Sequence, residues 1–290
     1  MLNPQSKHLP SAQPVSGAMN VIAGLFSQRT GQDVMASRAW RIDSVLQPLL
    51  RERDFADLDE LVAALASDGS GRLASAVTDA LLNQETSFYR DAGVIELAAD
   101  VVAARREDDP MRRVRIWSAG CSAGQEPYSL AMLLADRAET DDKTFPDIVA
   151  TDVSEAAIAR ARAGRYTHFE IQRGLPIRRM LAWFEQDGET FVARSELVRR
   201  VSFRRHNLVA EPAPYGQFDV ILCRNVLLYF SAAVRRGVFD RLADALRPGG
   251  LLILGAGETT IGQTERFVPS QRFRGAYDVA SAAARDARRA

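Results

Sequence analysis

The 290-residue chain has little of what marks several classes of protein. Its two cysteines, Cys121 and Cys223, sit inside apolar, strand-like segments. They are too few for the disulfide framework of a small secreted domain, and a reduced, cytoplasmic setting fits them better. Three histidines, His8, His168 and His206, are too scattered to hold a metal, so none is expected. Basic and acidic residues balance at 37 each, and no net field points to nucleic acid or an anionic membrane. No apolar run approaches the roughly 20 residues that a membrane-crossing helix needs, so no direct membrane insertion is expected. An apolar signal core is also missing from Met1 to Gly17, where proline, serine and glutamine predominate; a disordered tail is expected over 1–17. What remains, 47% hydrophobic and 26% charged residues, is the composition of an ordinary globular protein with room for one large domain or a small one plus a mid-sized one.

Two patterns divide the chain. From Ala18 to Asp91 the spacing is helical: Val21, Ile22, Leu25 and Phe26 mark one face before Thr30-Gly31 interrupts. A second helix starts near Met35, carries Trp40, Ile42, Val45 and Leu46, and is perturbed by Pro48. Asp57 to Glu60 open a third with acidic residues suited to a helix N-terminus, and a fourth runs from Ala74 to Leu82. Over 92–290 strands alternate with helices. Val114–Ala119, Ile148–Thr151, Phe218–Cys223 and Leu251–Leu254 read as strands; Glu126–Ala138, Glu155–Ala163 and Ser231–Leu246 read as helices. That alternation predicts an α/β fold with a mainly parallel sheet covered on both faces. Residues 185–206, around Asp187-Gly188, read instead as an inserted antiparallel segment.

The turn from Gly120 to Glu126 joins a strand to a helix, where parallel sheets bind ligands. By itself it is a weak signal, because such turns also use glycine for packing. Asp152 ends the next strand, where a carboxylate can accept hydrogen bonds from ribose hydroxyls; it can equally cap the following helix, a task open to Ser154 as well. Together the two features favour a nucleoside cofactor. The glycines are spaced too widely for a dinucleotide fingerprint, and no phosphate-gripping lysine follows Gly124. A cofactor without phosphates fits better, and S-adenosylmethionine is the common one.

Four segments carry a more specific likeness: NQETSFYRD at 83–91, WSAGCSAGQEPYS at 117–129, ATD at 150–152 with ARAGRY at 161–166, and CRNVLLYF at 223–230. In order and spacing they resemble the CheR-type chemotaxis receptor (protein-glutamate) O-methyltransferases, from about Met19 to Tyr277. The resemblance implies a Rossmann-like class I methyltransferase domain with a small antiparallel subdomain, preceded by a helical domain. It also implies cofactor contacts at Gln84, Thr86, Arg90, Glu126, Asp152, Asn207, Leu208, Asn225 and Val226, with S-adenosylhomocysteine as product. The implied acceptors are glutamates on the cytoplasmic helices of methyl-accepting chemotaxis receptors; a monomer is expected. Three departures stand out. Gln84 replaces the family's usual asparagine, and Gln125 replaces the first glutamate of an acidic pair whose second member is Glu126. In the second helix, where relatives place basic residues around positions 45 and 49, this chain has Arg38, Arg41, Arg51 and Arg53.

A glutamate carboxylate is ionised at neutral pH, so its methylation needs alignment rather than a general base. Arg90, whose guanidinium can grip a carboxylate through two hydrogen bonds, and Tyr229, after the Asn225 turn, are the candidate catalytic residues. Plainer roles exist for each: a solvated cation for Arg90, a core ring for Tyr229, and turn formation for Asn207 and Asn225. Two other readings keep the cofactor: a different protein or small-molecule acceptor, and a non-catalytic module that senses S-adenosylmethionine and docks a partner.

Overall fold

The computed structural model describes residues 17–33, 40–137 and 145–281. The tail over 1–16 and the helix start near Met35 lie outside these residues. The chain divides into two compact units, Met1–Arg29 with Val34–Leu81, and Thr30–Asp33 with Leu82–Ala290. The division falls at Leu81 rather than at Asp91. Most of the segment from Asn83 to Arg90 is non-helical, and its Phe88 is buried among Tyr166 and Phe184 of the second unit.

The first unit is built from α1 (Gly17–Thr30), α2 (Trp40–Glu52), α3 (Leu58–Ala66) and α4 (Arg72–Leu81). Ala18, Ile22 and Phe26, four residues apart, share the buried face of α1; Val21 falls outside it and is half exposed. α2 continues through Pro48 to Glu52, where the sequence suggests a disturbance. Ile42, Leu46, Leu49 and Leu50 are all buried, at about 1.5–3 kcal/mol each, which exceeds the ~3 kcal/mol of one interior proline. Asp57 caps α3 by accepting the Glu60 N–H at 2.9 Å.

The second unit carries, among the described residues, ten strands. They are β1 (Arg115–Ala119), β2 (Asp147–Asp152), β3 (Arg165–Thr167), β4 (Phe184–Asp187), β5 (Thr190–Ala193), β6 (Val201–Arg205), β7 (Phe218–Cys223), β8 (Leu246–Leu254), β9 (Phe267–Pro269) and β10 (Ala276–Val279). Its longer helices are α5 (Ala92–Asp108), α6 (Gln125–Arg137), α7 (Glu155–Ala163) and, later in the chain, Ala232–Ala245. Seven strands form one sheet in the order β6-β2-β1-β7-β8-β10-β9, parallel throughout except for β10, which is antiparallel to both neighbours. Side chains alternate between two cores. Ile116, Val220, Leu222, Leu251 and Ile253 face α5, α6 and α7; Trp117, Ile221, Cys223, Leu252 and Leu254 face the Ala232–Ala245 helix. This is the doubly covered, Rossmann-like α/β fold the alternating pattern predicts.

Two local expectations change. β8 begins at Leu246 rather than Leu251, with Pro248-Gly249-Gly250 inside it at an irregularity in its pairing with β7, because Leu246 already pairs with Phe218. The antiparallel segment is shorter than 185–206 at one end and recruits β3 at the other. β4 and β5 form the hairpin around Gly188, and β3 pairs with β5. Val201–Arg205 instead extends the main sheet beside β2, where buried Val201 and Phe203 join its core.

Phe239 is fully buried in the second core, its ring 6.1 Å from that of Phe267. Phe239→Ala is expected to lower stability by about 3–5 kcal/mol. Urea denaturation should show a lower midpoint at unchanged slope, and a loss below about 1 kcal/mol would contradict this packing.

Candidate functional site

Strand order reverses between β1 and β7, so the chain leaves their carboxyl ends in opposite directions and opens a crevice there. The turn after β1 forms one wall. The N–H groups of Gly120 and Cys121 both donate to the Thr151 carbonyl, at 2.8 and 2.9 Å, which ties the turn to β2. Gly120 has φ +82°, and a Cβ there would lie 2.3 Å from a Val226 methyl carbon; only glycine lets the β1 and β7 turns close on each other.

Asp152, at the end of β2, is held by two backbone donors: Ser122 N–H at 2.8 Å on one carboxylate oxygen and Ser154 N–H at 2.9 Å on the other. The cap of α7 is Ser154, whose hydroxyl accepts the Ala157 N–H at 3.0 Å. Asp152 is thus not needed as a cap and presents its carboxylate to the crevice.

Arg224 closes the far side. Its side chain is 2% exposed and joins Asp91 at 2.8 Å, Glu126 at 2.9 Å and the Arg90 carbonyl at 2.7 Å. The other Glu126 oxygen accepts from the Ser118 hydroxyl at 2.7 Å. The turn after β7 is set by Glu258, whose carboxylate accepts N–H groups of Asn225, Leu227 and Gly255 at 2.6, 3.1 and 3.0 Å. Asn225 itself sits at φ +57°.

The 83–91 segment lies across the opening. The Gln84 side chain donates to Ser154 Oγ at 3.1 Å, and its carbonyl accepts from Ser122 Oγ at 3.2 Å. Asn83 donates to the Tyr229 hydroxyl at 2.6 Å. Arg90 is exposed, with one guanidinium nitrogen on the Glu85 carbonyl at 3.1 Å. Glu85 pairs with Arg173, which holds its carboxyl below the usual carboxylate range.

These walls enclose a cleft of about 940 Å³, counting space open to solvent. All ten residues singled out in the sequence line it: Gln84, Thr86, Arg90, Glu126, Asp152, Asn207, Leu208, Asn225, Val226 and Tyr229. Asn207 also performs the turn role open to it, its Oδ1 accepting Val209 and Ala210 N–H groups at 2.9 and 3.3 Å. Tyr229 is only half buried and is not a core ring. Sequence reasoning missed Arg224 as a hub, Glu258, and Asn83 as a partner of Tyr229. An arginine inside an apolar strand end was a usable signal for Arg224; Glu258, 33 residues beyond Asn225, offered none.

The cleft's chemistry suits an adenosyl cofactor without phosphates. Asp152 and Glu126 present carboxylates, while Arg224 is committed to its two acidic partners, so the interior offers no guanidinium for a phosphate. Cys121 borders the cleft, but burial, together with Asp152 and Glu126, pushes its thiol well above the usual range; it stays protonated and non-nucleophilic. Among the described residues no group of three or more histidine, cysteine, aspartate or glutamate side chains can hold a metal, and no helix is long and apolar enough to cross a membrane.

Comparison with known proteins agrees. Residues 84–274 match the family model described as CheR methyltransferase, SAM binding domain. The chain is 35% identical over 237 residues to the chemotaxis protein methyltransferase Cher2 of Pseudomonas putida, covering 80% of this chain and 86% of the relative. It is 38% identical over 240 residues to chemotaxis protein methyltransferase 1 of Pseudomonas aeruginosa, covering 81% and 87%. With a Vibrio parahaemolyticus chemotaxis protein methyltransferase the identity is 36% over 238 residues, covering 80% and 85%.

Two substitutions separate binding from scaffolding. Asp152→Ala should weaken S-adenosylhomocysteine binding by at least about tenfold in calorimetric titration, since hydrogen bonds to a charged acceptor contribute about 1.5–3 kcal/mol; unchanged affinity would remove Asp152 from the site. Arg224→Met leaves Glu126 and Asp91 without their cation and should cost about 3–5 kcal/mol of stability. Chemical denaturation measures that loss, and Arg224→Lys should recover part of it.

Proposed function

The chain belongs to the CheR methyltransferase family, and we propose that it methylates glutamate side chains of methyl-accepting chemotaxis receptors, giving glutamate methyl esters. The observation that carries this reading is the exposed Arg90 guanidinium at the same cleft as the Tyr229 hydroxyl. Asp152 and Glu126 line the same cleft.

S-adenosylmethionine supplies an electrophilic sulfonium methyl group when bound. A glutamate acceptor, with a reference pKa of about 4.3, arrives already anionic, so no residue has to remove a proton. The histidines fit that economy. The His168 ring packs against Phe191 at 4.8 Å, and His206 Nε2 lies 2.8 Å from the Pro212 carbonyl. Arg90 binds the acceptor carboxylate in a two-bond fork. Tyr229 assists: its oxygen already accepts from Asn83, which leaves its own proton to donate to the incoming carboxylate. When the cofactor is bound, Asp152 would accept hydrogen bonds from its ribose hydroxyls and Glu126 would complement its cationic end. Holding acceptor oxygen and methyl group in line supplies up to about 7–11 kcal/mol of the barrier reduction.

The partner in this reading is a cytoplasmic receptor helix and the acting species a monomer in the cytoplasm. Arg51 of α2 and Arg53, just beyond its end, are exposed cations for such a helix; Arg38 and the Arg41 side chain lie outside the described residues.

The test follows tritiated methyl from S-adenosylmethionine onto a receptor cytoplasmic fragment. Label should appear on glutamate and leave as methanol under mild base, as esters do. Arg90→Ala should lower turnover on the order of 10²-fold, the cost of losing a positioning group. Base-stable label, or transfer only to a small molecule, would sink the reading.

A further inference from the structure

Glu85 stands beside the residue proposed to meet the acceptor. Its carbonyl accepts from the Arg90 guanidinium at 3.1 Å, and both residues line the cleft. Its carboxylate is more than half exposed and pairs with Arg173 at 2.5 Å. The hydrogen bond and charge of Arg173, followed by the charge of Arg90, hold that carboxyl below its usual range. Glu85 is therefore an anion at neutral pH, within the field of Arg90. Among the described residues three carboxylates line the cleft. Glu126 is joined to Arg224, which lines it too, and Asp152 accepts two backbone N–H groups; Glu85 draws its cation from outside the lining. Arg173 is fixed where it stands. It follows the short helix His168–Gln172, and its N–H donates to the Phe169 carbonyl at 3.1 Å. Gly174 comes next at φ +96°, and a Cβ there would lie 2.2 Å from the Phe88 carbonyl oxygen, so this turn presses directly on the 83–91 segment. Leu175 is buried in the same core as Phe88.

An exposed ion pair adds little to stability, so the consequence of this one lies in where its charges stand. Paired with Arg173, the Glu85 carboxylate is cancelled. Unpaired, it would set beside Arg90 a group of the same chemistry as the acceptor, which would compete for the guanidinium and repel the incoming anion. We infer that Arg173 is a positioning residue for the acceptor: it holds the Glu85 carboxylate away from the Arg90 guanidinium and leaves that guanidinium to the substrate glutamate. This deepens the glutamate reading above and rests on it. The charges give the inference a sign. Glu85 and Arg173 together sum to zero; removing Arg173 leaves one negative charge, neutralising Glu85 leaves one positive charge, and doing both returns the sum to zero. An anionic acceptor must feel the four states in that order, whereas a contact that merely supports the fold would make both single losses act in one direction.

Methyl transfer to a receptor cytoplasmic fragment, at saturating S-adenosylmethionine and low ionic strength, tests that order. Arg173→Ala should raise the KM for the fragment by about three- to fivefold, the range of one exposed charge interaction, with kcat moving less. Glu85→Gln keeps the carbonyl that holds Arg90 and should lower KM by about twofold. The double variant should return close to wild type, and Arg173→Lys should stay there, since each keeps the charge sum at zero. Salt near 1 M, where screening acts within about 3 Å, should draw all the values together. Calorimetry with S-adenosylhomocysteine, which has no net charge, should give one affinity throughout, and thermal unfolding checks that each variant is folded. Single substitutions that shift KM in the same direction overturn the inference. So does a double variant no better than Arg173→Ala, or a cofactor affinity that follows the charge order while KM does not. A fragment that takes no base-labile label from wild type overturns it together with the glutamate reading.

Discussion

The buried guanidinium of Arg224 is the interaction on which the cleft depends. It lies at the carboxyl end of β7 and is enclosed on all sides, yet it holds three things at once: the Glu126 carboxylate of α6, the Asp91 carboxylate, and the Arg90 carbonyl. Burying that charge is costly, and replacing it together with both acidic partners by well-packed apolar side chains would give an equally stable core. Its value lies in geometry. A planar fork with several fixed donors sets Glu126, the start of α5 and the backbone of Arg90 relative to the β7 turn, which a hydrophobic contact would leave free to slide.

Around that hub the backbone is held in conformations it would not adopt unaided. Tyr89, Asp91, Ser122 and Asn225 all have φ between +49° and +57°, left-handed geometry that side chains other than glycine rarely accept. Each is pinned by a named hydrogen bond. Tyr89 N–H donates to Ser129 Oγ and Ser122 N–H to Asp152, Asn225 N–H donates to Glu258, and the Asp91 carboxylate accepts from Arg224. Strain of about 1–3 kcal/mol at each position is offset by packing elsewhere, mainly the two cores that sandwich the sheet. The result is a cleft whose walls are held by the protein's own hydrogen bonds, which suits the alignment of a methyl donor with an anionic acceptor.

The proposed function assigns cofactor recognition and acceptor recognition to different residues of one cleft. On the cofactor side stand Asp152 and Glu126, fixed by backbone donors and by Arg224 respectively. Arg90 and Tyr229 lie at the opening, supported by the Glu85 carbonyl and by Asn83 from the same segment. Residues 83–91 thus line the cleft and hold both groups of the proposed acceptor site, Arg90 directly and Tyr229 through Asn83.

Much of this was legible in the linear chain because it depends on local rules. Apolar alternation and glycine turns define β1, β2, β7 and the helices after them, and the helix that ends the first unit breaks where Asn83 begins. The cleft residues could be named because they fall in four segments resembling one family, and each segment ends a strand or opens a helix. Other features needed coordinates, since they join residues far apart in the chain. Pairing with β2 decided that Val201–Arg205 extends the main sheet, and burial of four side chains decided that α2 runs through Pro48. Folding alone brings Glu258 beneath the Asn225 turn, Asn83 against Tyr229, and Arg224 between Asp91 and Glu126. Sequence determined which residue types stand at the strand ends. Tertiary structure decided their partners, because a charge or lone pair acquires its role only from the group that packing sets beside it.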